Sequence, residues 1–144
     1  MGRYLAIDFG QKRVGLALSD PLKIIAKPFK TILYNDIQNL LNEIIIEISG
    51  NNIEKIILGY PIGMKGQITD QTKKVIDFSE LLKSIIDIPV LFHDERLSSA
   101  AAKKALVEQK VKTGHNKNEI DSTAAAIFLQ NYLDKFISNE FTEL

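Results

Sequence analysis

Two apolar segments, residues 4–9 and 14–19, are separated by only four residues, Gly10-Gln11-Lys12-Arg13. A short polar link containing glycine reverses the chain, so the two segments are expected to be strands of one antiparallel hairpin. Inside the first strand sits a carboxylate, Asp8. An ionised carboxylate among apolar neighbours costs several kcal/mol unless it is paired. Whatever the rest of the chain builds must bring hydrogen-bond donors, a cation or a metal to Asp8.

Beyond the hairpin, Pro21 breaks the pattern and residues 24–33 form a third extended stretch containing Pro28. Proline is excluded from central ladders, so this strand is expected at a sheet edge. Asn35 or Asp36 starts a helix to about Ser49, with Ile37, Leu40, Leu41, Ile44, Ile45 and Ile48 on one face, and Gly50-Asn51-Asn52 ends it. Residues 55–58 are a short buried strand, residues 60–66 a loop rich in glycine, and residues 69–86 a second amphipathic helix. Residues 89–92 give a fifth strand, followed by a helix over about 99–109, a polar loop at 111–118 and a last helix over about 119–137. The order β-β-β-α-β-α-β-α-α predicts an α/β domain with a mixed five-stranded sheet. Its first three strands are antiparallel, strands one, four and five are parallel, and helices cover both faces. At 144 residues one core suffices, so a single domain over 1–138 with a frayed tail at 139–144 is expected.

Composition removes several chemistries. There is no cysteine, hence no disulfide, thiolate site or cysteine nucleophile, and two histidines, His93 and His115, do not make a zinc cage. Any metal would sit among Asp and Glu oxygens, which favours magnesium, manganese or calcium. No run of about 18 apolar residues exists to cross a membrane. The first residues enter a strand pattern directly, without a signal-peptide layout, so the cytoplasm is the expected location. Formal net charge is zero, yet charge is segregated. Residues 1–31 carry six basic and two acidic side chains, and residues 96–117 carry six and one. Two basic segments meeting on one surface would create a local positive field; a solvated helix face and loop would explain them equally well.

Sites in open α/β sheets gather at the carboxyl ends of parallel strands. Asp8, the pair Asp94-Glu95 and the loop 59–66 all fall on that rim. Asp121 opens the last helix, where a first-turn carboxylate favours the helix dipole. The Ser122-Thr123-Ala124-Ala125-Ala126 run after it, however, lets the helix approach the sheet and carry Asp121 toward strand one. Converging carboxylates without histidine or cysteine suit hard divalent cations, and two such ions about 4 Å apart can hydrolyse a phosphodiester without a protein nucleophile. Gly59 and Gly63 admit a phosphate-approaching loop, although a plain loop is the simpler account. Tyr60 would stack on a base or cover the core edge. His93 reads as a packed histidine rather than a general acid. Arg96 would pair with Glu95, Asp94 or a phosphate.

Four blocks, AIDFGQKRVGLALSDP, LGYPIGMKG, PVLFHDERLSSAAA and EIDSTAAAIFLQNYL, together resemble the YqgF family. That family is also called RuvX; its members are named pre-16S rRNA nucleases and were earlier grouped with Holliday junction resolvases. The resemblance runs from Leu5 to Leu133 and implies an RNase H-like fold and a cytoplasmic nuclease. It also implies dependence on magnesium or manganese (Mg2+ or Mn2+) and a role in trimming the 5′ end of precursor small-subunit rRNA. On this chain the family's acidic positions fall on Asp8, Glu95 and Asp121, with Asp94 a weaker fourth, as catalytic and metal-binding residues. Lys12, Arg13 and Arg96 match basic positions facing nucleic acid. One departure is the stretch KTGHNKNEID, where a dense basic run is expected: Lys112, His115 and Lys117 keep some charge, while Asn116, Asn118 and Glu119 dilute it. The leading expectation is thus a metal-dependent endonuclease on structured RNA, monomeric or homodimeric. The rivals are a resolvase of branched DNA, an ATP-binding actin/hexokinase-like phosphotransferase, and a non-catalytic ribosome-assembly module.

Overall fold

The computed structural model describes residues 2–95 and 117–143. Strands β1 (Arg3–Phe9) and β2 (Arg13–Ser19) form the expected hairpin, with Asp8 opposite Gly15 and Phe9 opposite Val14. The chain then turns at Asp20, whose carboxylate accepts the backbone N–H groups of Leu22, Ile24 and Ile25. These bonds, Ile25's foremost, hold the Asp20 pKa below the ordinary carboxylate value and let Lys23 adopt φ 60° without a glycine. Strand β3 (Ala26–Leu33) lies at the sheet edge, as Pro28 requires. Its register against β2 shifts between Leu16 and Ala17, where Pro28 takes the place opposite Ala17.

Helix α1 (Ile37–Gly50) begins at Asp36, whose side chain accepts the Gln38 N–H. Gly50 is still helical; Asn52, at φ 52°, makes the left-handed turn out of the helix. Strand β4 (Ile53–Tyr60) is twice the predicted length because it is paired on both sides, parallel to β1 and to β5 (Val90–Asp94). Between them runs helix α2 (Asp70–Ile85), opened by a reciprocal capping box between Thr69 and Thr72. Helix α3 (Lys117–Glu143) closes the described chain. The helix expected over about 99–109 lies outside the described residues.

The sheet order is β3-β2-β1-β4-β5, with β1, β4 and β5 parallel and β1 to β3 antiparallel, as predicted. Alternation of side chains divides the strands between two cores. Leu5, Ile7, Leu16, Ile56 and Leu58 face α1 and α2, meeting Leu40, Ile44, Phe78 and Leu82. Tyr4, Ala6, Ala17 and Ile57 face α3, meeting Ala125, Ala126, Phe128 and Leu129. The second core is built from alanines on both sides, so α3 packs closely on the sheet, chiefly over β2 and β3. No helix among the described residues is long and apolar enough to cross a membrane.

Candidate active site

By alternation with Tyr4 and Ala6, Asp8 projects from the central strand toward α3. A glycine lies on the same face of the sheet on each side of it. Gly15 is its direct partner on β2, and Gly59 follows Leu58, the partner of Ile7 on β4. Each glycine makes room for an acidic residue. A Cβ on Gly15 would lie 2.2 Å from the Asp121 carbonyl oxygen, and one on Gly59 would lie 2.7 Å from Glu95 Oε1. Asp8 is thus flanked by the Asp121 backbone on one side and by the Glu95 carboxylate on the other. Asp94, the last residue of β5 and the one before Glu95, alternates to the opposite face, shared with Phe92.

Asp121 does not lie in the first helical turn, as the sequence suggested. The helix already runs from Lys117, which puts Asp121 in the second turn, past the reach of the dipole argument. Its carboxylate is partnered instead by Arg13 of the hairpin turn, with Nε 3.0 Å from Oδ2. This ion pair lacks hydrogen-bond alignment: Oδ2 is buried and accepts no hydrogen bond among the described residues. The turn that carries Arg13 is fixed from behind. Tyr34 donates its hydroxyl to the Gly10 carbonyl at 2.6 Å and its N–H to the Lys12 carbonyl at 3.1 Å. Gln71 donates to the Phe9 carbonyl at 3.0 Å, and the Phe9 ring stacks on Phe78 with centroids 4.3 Å apart. Sequence reasoning missed Tyr34 and Gln71, since nothing local marks a polar side chain as the fastener of a distant turn.

The other singled-out residues divide. Lys12 is exposed on the turn, and with Gly10, Gln11, Arg13 and Asp121 it lines a cleft of about 360 Å³. Tyr60 packs on Phe92, centroids 4.8 Å apart, on the face opposite Asp8. The 61–69 loop uses its own glycines: Gly63 N–H bonds the Gln67 carbonyl, Gly66 N–H bonds the Gly63 carbonyl, and Gly66 takes φ 83°. Those donors are internal, which fits the plain-loop account better than a phosphate cradle. Arg96, Lys112 and His115 lie outside the described residues; Lys117 is the first residue of α3.

His93 is a packed histidine. It is 4% exposed, lies between Phe128 and Tyr132, and its Nε2 sits 3.0 Å from Asn131 Oδ1. Burial pushes its pKa below the ordinary 6.5, with the Asn131 contact opposing. The folded chain therefore resists a proton that the unfolded chain accepts, so the His93 contribution to stability is flat above about pH 6.5 and falls, turning unfavourable, as pH drops below it. Thermal melts between about pH 8 and 5 should show this fall, and His93→Gln should flatten the slope whatever it does to the Tm at pH 8.

Among the described residues no three Asp, Glu or His side chains are close enough to share one ion. In kind, the donors near Asp8 fit a hard divalent cation: they are all carboxylate oxygens, and one of them, Asp121 Oδ2, is buried without a hydrogen bond. Arg13 supplies the positive charge at Asp121 that such a cation would otherwise bring.

The architecture is that of the RuvC-like resolvases, an RNase H-type α/β fold. Thermus thermophilus RuvC, solved with a Holliday junction substrate, matches with a TM-score of 0.63 over 94% of this chain and 96% of that one, at 11% identity. The fowlpox virus Holliday junction resolvase matches with a TM-score of 0.54 over 92% and 99%, at 14% identity. The sequence defines the family more narrowly. The RuvX family model, described as Holliday junction resolvase, matches residues 2–135. A Desulforamulus reducens protein named "Putative pre-16S rRNA nuclease" is 41% identical over 92% of this chain and 96% of its own. One of the same name from a Sulfurihydrogenibium species is 41% identical over 99% and 97%. The chain belongs to the RuvX family.

Proposed function

We propose that this protein is a divalent-metal-dependent endonuclease that processes the 5′ end of pre-16S rRNA in the cytoplasm, with Asp8, Glu95 and Asp121 as its catalytic and metal-binding residues. The observation that carries the reading is the glycine on each side of Asp8, which seats Asp121 against one neighbouring strand and Glu95 against the other. The relatives' shared name supports rRNA as the substrate. Bound magnesium or manganese would activate water and stabilise the departing oxygen. Asp8, on the central strand, would be the fixed ligand, and Glu95 and Asp121 would have to turn in from either side to complete the oxygen set. Lys12 and Arg13 sit where the phosphodiester enters, with Arg96, Lys112 and Lys117 as further basic contacts and Tyr60 as a stacking surface outside the carboxylate face.

Arg13 has two tasks in this scheme, to hold Asp121 until a cation arrives and then to meet the phosphate. Arg13→Gln should tighten Mn2+ binding up to about fivefold in calorimetry, since a half-exposed ion pair contributes at most ~1 kcal/mol, and should weaken RNA binding. The second reading, cleavage of branched DNA, is favoured by the family description and by the RuvC fold. It requires two active sites, which a symmetric dimer would provide. Precursor rRNA and a four-way DNA junction, assayed side by side with Mg2+ or Mn2+, separate the two. Cleavage of the junction alone, by a dimeric species in sedimentation, would overturn the rRNA assignment.

A further inference from the structure

The hairpin turn is ringed by three adjoining clefts. The first, about 360 Å³, holds Arg13 and Asp121. The second, about 350 Å³, shares Gln11 with it and runs past Phe9 and Lys74 to Tyr34 and Asn35. The third is the largest, about 660 Å³; it shares Tyr34 and Asn35 with the second and Lys12 with the first. It lies between the end of β3 and the outer face of α1, lined by Asn39, Asn42, Glu43 and Ile46. Asn39 and Asn42 follow one another on α1 at helical spacing, and Asn35 lies in the bend just ahead of the Asp36 cap, so three exposed amides line the cleft leading away from the turn. Tyr34 ties the two features mechanically, because it bonds the turn at Gly10 and Lys12 and immediately precedes Asn35.

The lining is nearly neutral, Lys12 and Lys74 standing against Glu43 and Asp77. A phosphate backbone would select for an excess of cations; amides instead offer donors and acceptors, with Asn42 Oδ1 shared with Gln38 Nε2 at 3.4 Å, the complement of ribose 2′-hydroxyls and unpaired base edges. We infer that this path, from Lys12 over Tyr34 to Asn39 and Asn42, holds the single-stranded arm of the RNA on one side of the scissile bond, reading riboses and bases rather than charge. The inference rests on the nuclease reading above and adds a subsite that sets how much RNA beyond the cut is recognised.

The test is a steady-state series with Mn2+ on an RNA cut at one bond, shortened from each end in turn. The KM of wild-type protein should rise about tenfold when the arm on one side is removed, the loss of about two neutral hydrogen bonds. Asn39→Ala/Asn42→Ala, at exposed helical sites where alanine is well tolerated, should show that raised KM on the full RNA. Its KM should rise no further on trimming, and its kcat and salt dependence should stay unchanged. Deoxyribose in that arm should raise the wild-type KM and leave the double variant unaffected, whereas Lys12→Ala should flatten the salt dependence. The path is overturned if the double variant matches wild type on the full RNA, or loses equally on full and trimmed RNA, while wild type cleaves. If wild type cuts no RNA and is indistinguishable from Asp8→Asn, the nuclease reading fails and the path fails with it.

Discussion

Asp8→Asn protein should fold as wild type does and lose cleavage by on the order of a thousandfold, the several kcal/mol that a bound Lewis-acid ion contributes. The substitution keeps the shape of the side chain and removes the charge that a divalent ion requires. Asparagine keeps the volume of the side chain between Gly15 and Gly59, so the Tm should stay close to that of wild type. RNA binding measured without metal should persist, because Lys12 and Arg13 are untouched. Unchanged metal-dependent cleavage by Asp8→Asn would remove Asp8 from the site, and the glycine argument with it.

The second large effect separates the two glycines. Alanine at position 15 places its Cβ 2.2 Å from the Asp121 carbonyl oxygen and 2.4 Å from its carbonyl carbon. Both atoms are backbone of a helix, so α3 must lift from the sheet. Gly15→Ala should destabilise by roughly 3 kcal/mol, the upper end for overpacking a tight contact, and lower the Tm by roughly 10 °C. Alanine at 59 meets Glu95 Oε1 at 2.7 Å and the Phe128 ring at 3.1 Å. The first is the tip of a flexible side chain that can swing away. Gly59→Ala should therefore cost little stability and yet lower activity sharply, because Glu95 leaves its place beside Asp8. Calorimetry and the cleavage assay on the two variants should give opposite orders of severity; equal damage to stability would show that Gly59 only packs.

The strand order was legible because strong local signals agreed with it. The four-residue turn fixed the hairpin, and Pro28 fixed β3 as an edge. Length was less legible where partners decide it. The ends of β4 carry Glu54 and Gly59, poor strand formers that extend only because β1 and β5 flank them. Strand β5 likewise runs on to His93 and Asp94, since His93 is buried against Asn131, Phe128 and Tyr132 on α3. Of the candidate site, the acidic residues could be singled out from the sequence, whereas their setting could not. Gly15 in an apolar strand was a readable sign of close backbone approach, though not of what approaches. The Asn39–Asn42 row was invisible, because exposed amides on a helix look like any solvated face.

The parallel half of the sheet also orders events in time. Strands β1 to β3 pair with sequence neighbours and can form as soon as the chain is free through Leu33. The pairings of β4 and β5, and the seating of α3 on Gly15, join distant segments and must wait. Asp8 is synthesised well before Asp121. A nascent or truncated chain would thus display the basic turn without the full carboxylate set. On the proposed assignment of these residues, the protein in the course of its synthesis would be able to hold nucleic acid but not to cut it.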